Sequence, residues 1–195
     1  MLLATGSVVD AQTSAPASFT DVVHYAGFTV FTLGQNATDV VTRGWSGQDF
    51  TSAFVRQLVS LTTELVTTAE QHLAYPVLHH FRSRERIAAA PSAIARLDEA
   101  MLLLSCAVAD SARPHASTID PVRAAIGRYL TTTSMTATVG DPPDEPPAPQ
   151  RASLQAAGIP TTAQQEYVAA VSRSAERRRR LHRLLHGNGW SWPTT

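Results

Sequence analysis

Between Phe50 and His72, the positions Phe50, Phe54, Leu58, Leu61, Leu65, Ala69 and His72 recur at steps of 4, 4, 3, 4, 4 and 3. That spacing sets them along one face of a helix, because 3.6 residues complete a turn. Ser46 and Asp49 stand three apart, as a capping box requires, so the helix is expected over about residues 47 to 73. A stripe this long has to be covered by other elements. No segment of useful length alternates apolar and polar residues as a half-buried strand does, so the covering elements should also be helices.

The rest of the chain supplies them. Residues 19 to 33 are dense in apolar side chains, with Gly34 as a stop, and predict a short helix. Asn36 and Asp39 have N-cap spacing and should open one or two turns ending near Gly44. Tyr75-Pro76 breaks the long helix, and Pro76 suits the first turn of a short helix reaching about Phe81. Pro91 should open another helix, whose stripe is Ile94, Leu97, Met101, Leu104 and Val108. Thr118, Asp120 and Pro121 form a further start signal, followed by Val122, Ala125, Ile126, Tyr129 and Leu130. The prolines of residues 135 to 150 exclude a helix and predict an extended linker. Beyond it, one or two turns are expected over 153 to 158, then a final helix from Thr162 to the Gly187-Asn188-Gly189 stop. Trp190 and Trp192 follow, and two indoles near a chain end should dock back on the bundle. The expected organisation is a flexible segment over 1–18, an all-α helical bundle over 19–134, a Pro-rich linker over 135–150, and a C-terminal helix with its Trp tail over 151–195.

Composition limits the chemistry. Charged residues make up 16% of the chain, against about 25% in ordinary globular proteins, so wholesale disorder is disfavoured. The start lacks Arg and has an interrupted apolar run, which argues against a signal peptide. Neither Val22–Leu33 nor Ala100–Ala109 reaches the roughly 20 apolar residues of a spanning helix. The single cysteine, Cys106, excludes an internal disulfide and a multi-Cys zinc site, and its apolar flanks predict a buried structural thiol. No nucleophile elbow, P-loop or dinucleotide fingerprint is present, so no enzyme class and no cofactor is indicated. His72, His79 and His80, with Glu64 and Glu70 nearby, could be imagined as a metal site. Their spacing lacks the i, i+4 pairing of helical metal centres.

Charge is concentrated at one end. Residues 173 to 195 hold six Arg and one Glu, a net +5, while residues 1 to 172 carry −5. Arg173, Arg177, Arg178, Arg179, Arg180 and Arg183 are therefore candidate interaction residues for anionic lipid or nucleic acid. The competing reading is a helix face paired with the acidic body of the same chain. No aromatic residue interrupts the Arg run, which disfavours nucleic acid.

The segment His72-Leu73-Ala74-Tyr75-Pro76-Val77-Leu78-His79-His80-Phe81, the later Leu97-Asp98-Glu99-Ala100, the Pro-rich linker, the Arg-rich stretch and Gly189-Trp190-Ser191-Trp192 resemble the cytosolic C-terminal region of actinobacterial two-transmembrane potassium-channel-like proteins. The resemblance covers roughly residues 36 to 193. Phe19 to Gly34 also resembles the pore helix and filter entrance of such ion channels, with Thr32-Leu33-Gly34 in the place of a filter motif. Gln35-Asn36 departs from that motif, and Arg43, Asp49 and Arg56 occupy the span where an apolar helix should follow. Alternatively, Leu33-Gly34 is the end of an inner helix leading into the cytosolic region. The resemblance implies a non-catalytic regulatory or assembly module, cytoplasmic or membrane-associated, that does not conduct ions alone and has a membrane channel subunit as a partner. Val22 to Phe31 and the Leu58, Leu61, Leu65 stripe offer more apolar surface than a short bundle covers, so self-association is expected. Two alternatives remain: a stand-alone protein binding anionic membrane or RNA through its Arg-rich helix, and a metal-dependent enzyme using His72, His79 and His80.

Overall fold

The computed structural model describes residues 36–74, 90–134, 144–187 and 189–192, and their ordered elements are all helical. The expected helices over 19 to 33 and 76 to 81 lie outside the described residues, as does the 1–18 segment.

Helix α1 (Ala37–Gly44) starts as its sequence requires: the Asn36 side chain accepts the backbone N–H of Asp39 at 2.9 Å. Asp39 in its first turn and Arg43 in its last complement the helix dipole. At the far end, a Cβ on Gly44 would lie 2.6–2.7 Å from the Phe54 ring, so only glycine lets the helix end rest on that ring.

The Ser46–Asp49 pair does not cap the next helix. Ser46 Oγ donates to the Asp49 carbonyl at 2.7 Å and accepts the Asp49 N–H at 3.2 Å, closing a tight loop. Gly47 turns that loop with a φ of 98°, which helix geometry excludes. Trp45 and Phe50 bridge its base and their rings meet edge-on. Helix α2 (Ser52–Ala74) therefore begins five residues after the expected residue 47, capped by Thr51, whose Oγ1 accepts the Phe54 N–H at 3.2 Å. The stripe itself is as expected: Phe50, Phe54, Leu58, Leu61, Leu65 and Ala69 are all buried. Each leucine contributes about 1.5–3 kcal/mol by leaving water.

Helix α3 (Ala90–Leu102) runs through the middle and is buried around its whole circumference from Ser92 onward. It continues as one π-helical turn (Leu103–Ala107), in which the Val108 N–H reaches back five residues to the Leu103 carbonyl at 3.1 Å. The Cys106 and Ala107 carbonyls at the end of this turn accept from Thr162, through Oγ1 at 2.7 Å and N–H at 2.9 Å respectively. Cys106 is half-buried, not fully enclosed, and its sulfur lies 3.3 Å from Ser105 Oγ.

Helix α4 (Ala116–Ser134) packs along α2 in the most extensive helix pair among the described residues. It starts earlier than the Thr118–Pro121 signal suggests, because the His115 ring nitrogen accepts the Ser117 N–H at 3.2 Å and Pro121 is accommodated inside the helix on an exposed face. Residues 144–150 are extended. They are not a free spacer, since Pro146 and Pro149 are buried. Short α5 (Ala152–Ala156) follows. The expected final helix is two, α6 (Gln164–Arg173) and α7 (Ala175–Gly187), with Ser174 between them sharing its N–H with the carbonyls of Ala170 and Val171. Gly189, at φ 78°, ends the arm, and Trp192 folds back to only 6% exposure.

No described helix is long and apolar enough to cross a membrane. Replacing Gly44 with alanine should force α1 off the Phe54 ring and cost about 1–3 kcal/mol. The expected result is a lower urea midpoint with an unchanged slope; an unaltered midpoint would show that the contact is not needed.

Candidate functional site

A helix buried on every side has to be apolar on every side, or its polar residues must find partners within the protein. Helix α3 carries Asp98 and Glu99, each 4% exposed, one helical step apart. The partners come from α7. Arg177 donates through Nε to Asp98 Oδ1 at 2.7 Å, and Arg178 grips Glu99 with Nε on Oε1 at 2.7 Å and Nη2 on Oε2 at 3.1 Å. The second pair is bidentate and sealed, its side chains 1% and 5% exposed.

Arg178 also gathers the rest of the arm. Its Nη2 donates to the Pro147 carbonyl at 2.6 Å, its Nη1 lies 3.6 Å from Glu145, and its guanidinium stands 5.8 Å from the centre of the Trp192 ring. Arg177 Nη2 donates to the Arg123 carbonyl of α4 at 2.9 Å. Around this centre, Tyr167 O–H donates to the Pro149 carbonyl at 2.7 Å, and the His182 ring shares a bond with the Asp144 carbonyl and meets Trp192 edge-on. One side chain thus links a core helix, an extended proline strap and the tryptophan tail.

Burial dominates the ionisation of this cluster. It pushes Glu99 up to about 7, the hydrogen bond and charge of Arg178 pull it down, and the charge of Asp98 adds to the rise. Tyr167 is raised to about 12, mainly by burial and next by the Glu99 charge. Glu176, on the outer face of α7, is lowered, first by its hydrogen bond from Arg179.

The six candidate interaction arginines separate into two groups. Arg177 and Arg178 are engaged within the chain, Arg178 fully enclosed and Arg177 partly so, which corrects their assignment as surface interaction residues. The physical reason is their place on α7: Arg178 projects with Leu181 and Leu185 toward the core, and Arg177 flanks that face. Arg179 and Arg183 lie outside, both paired with Glu176, at 3.0 and 3.2 Å. Arg173 is exposed and Arg180 half-exposed.

Trp192 is buried as expected, and Trp190 is partly buried against the core. Thr32, Leu33, Gly34, Tyr75, Pro76, His79, His80 and Phe81 lie outside the described residues, and so does the His72 side chain. Among the described residues no three His, Cys, Asp or Glu side chains are grouped to hold a metal ion. Leu58, Leu61 and Leu65 are at most 2% exposed, so this stripe offers no surface for self-association; the bundle covers it. The residues that the sequence reading did not single out are Asp98 and Glu99 as ion-pair partners, and Tyr167 with its proline carbonyl. The signal was available in the first case, because two acids inside an apolar helix need cations.

An all-α bundle organised round a buried pair of ion pairs is the class of structure these observations define. No protein-family model matches the chain, and no solved structure matches it. It is similar to the uncharacterized membrane protein YdjJ of Bacillus subtilis (strain 168), with 32% identity over 164 residues, 84% of this chain and 48% of that protein. The chain therefore spans about half the length of this curated relative.

Because the folded carboxyl of Glu99 titrates near 7, above its ordinary value of 4.5, the folded state holds this proton more tightly than the unfolded chain. Its contribution to stability is complete below the ordinary carboxylate range and declines as pH rises through about 7. Between those limits the wild type should lose stability relative to E99Q by up to about 1.4 kcal/mol per pH unit, measured by urea denaturation at several pH values. A difference that stays flat over this range would mean that Arg178 keeps Glu99 ionised throughout.

Proposed function

We propose that this chain is a non-catalytic regulatory or assembly module of a membrane protein, related to the cytosolic part of a potassium-channel-like protein and not conducting ions by itself. The observation that carries this reading is a helical bundle without a membrane-crossing helix among its described residues, in a chain similar to about half of a protein named a membrane protein. A module of this kind works by helix contact with copies of itself or with a membrane subunit, on the cytoplasmic side. The ion pairs in the bundle centre suit a structural role: Asp98 and Glu99 are engaged by Arg177 and Arg178 of the same chain. With the Leu58–Leu65 stripe enclosed, contact between copies falls to the apolar Val22–Phe31 segment of the sequence.

Light scattering of the purified chain at micromolar concentration tests the assembly role. The expected mass is a multiple of 21.0 kDa, fourfold if the channel resemblance extends to symmetry. A monomer, or an assembly that persists unchanged when Val22, Val23 and Phe28 are replaced with serine, would contradict it.

A further inference from the structure

Helix α7 divides its charges by direction. At about 100° per residue, Glu176, Arg179, Arg180, Arg183 and His186 fall within one arc of about 120°, opposite the buried side chains of Arg178, Leu181 and Leu185. Arg173, one turn before Arg177, extends this face across the Ser174 junction, where the N–H still bonds to the Ala170 carbonyl at 3.2 Å. The ion pairs to α3 remove Arg177 and Arg178 from the outside. They leave four arginines against one carboxylate, and Glu176 is shared by Arg179 and Arg183. The outward face carries a net +3, with His186 able to add to it.

We propose that this outer face of α7 is a docking surface for an anionic lipid bilayer. Its guanidinium groups suit phosphate oxygens, which they engage through paired N–H donors. The arginines are held on a rigid helix fastened to the core, so several reach a flat charged surface together without ordering a flexible tail. Just past the C-terminal end of the same helix, Trp190 is half-buried, its backbone N–H donating to the Leu185 carbonyl at 3.0 Å. An indole at the margin of a cationic face fits the boundary between headgroups and acyl chains. A nucleic-acid surface fits less well, because no Phe, Tyr or Trp is interleaved with the arginines of the arc. Within residues 173 to 195 a single acid, Glu176, stands against six arginines, so this end of the chain is strongly cationic.

Co-sedimentation of the full chain with vesicles of phosphatidylcholine alone, and of phosphatidylcholine mixed with phosphatidylglycerol, tests this surface. Binding is expected to the anionic vesicles only, and to weaken as salt is raised. Each exposed arginine is worth about fivefold in partitioning, so R173Q/R179Q/R180Q/R183Q should lose several hundredfold. R180E alone, a milder change in case the quadruple variant is damaged, should lose at least fivefold with an unaltered circular dichroism spectrum. Substituting Arg56 and Arg128, which are exposed on other helices, should leave binding within about twofold. Equal binding to neutral vesicles, no binding to either, or indifference to both α7 variants would overturn the proposal. So would tight binding to an RNA oligonucleotide without vesicle binding. Oligomeric state does not enter this readout, so the docking surface and the assembly role can fail separately.

Discussion

The bidentate contact between Arg178 and Glu99 is the interaction on which the rest of this architecture depends. Both groups have left water, and each ion alone would cost several kcal/mol to bury. An arginine left there without its carboxylate would be an uncompensated buried charge, so the fold needs both partners in place. The surroundings add to the pair: the Pro147 carbonyl takes one Nη2 N–H and Trp192 lies beside the guanidinium, while Nη1 has no hydrogen bond and only the Glu145 carboxylate at 3.6 Å. A second pair, Arg177 with Asp98, stands one residue along on each helix, so both pairs join residues 79 apart. Two adjacent pairs on each helix fix rotation and register together. Sliding α7 by one residue would set Asp98 against Glu176 in one direction, and Glu99 against Arg179, which lies on the outer face, in the other. The device therefore defines where the arm sits more than it adds to net stability, since apolar residues of similar volume could hold two helices together as well.

This explains why a Pro-rich segment that reads as a spacer behaves as part of the core. Prolines have no N–H to satisfy, and their carbonyls remain strong acceptors. The Pro147 and Pro149 carbonyls accept from Arg178 and Tyr167, so an extended chain crosses the bundle surface with its polar groups paired. The π-helical turn after α3 plays a similar part on the other side. Its displaced carbonyls receive Thr162, which fastens the loop before α6. The C-terminal arm is thus held at three places: strap, loop and ion pairs.

Much of this was legible in the sequence. The all-α class, the Asn36 cap, the 3.6-residue stripes of α2 and α3, and the return of Trp192 all follow from local rules with one dominant solution. Boundaries failed where two local solutions compete. Ser46 and Asp49 can cap a helix or close a loop, and Gly47 decides for the loop by its positive φ. The break at Ser174 has no proline or glycine to announce it. The centre was only partly readable. Four consecutive arginines face in all directions on a helix, and which of them turn inward depends on where the two acids of α3 fall after folding, a long-range fact that spacing alone does not contain. The enclosure of α3 was the missing premise. Once a helix is known to be covered on every side, Asp98 and Glu99 require cations, and the Arg-rich stretch supplies them.

Division of that stretch between inside and outside gives the molecule its character. Arg177 and Arg178 make the arm part of the fold, and this anchoring holds the remaining arginines on one rigid outward face. The central claim is that α7 belongs to the same cooperative unit as α3. Amide hydrogen exchange of the intact chain measures this directly. The inner amides of α7 should be protected to the same degree as those of α3 in the wild type, and R178A, which strands Glu99, should lower both by about 3–5 kcal/mol. Exchange in wild-type α7 that is orders of magnitude faster than in α3, or protection of both helices that R178A leaves unchanged, would contradict it.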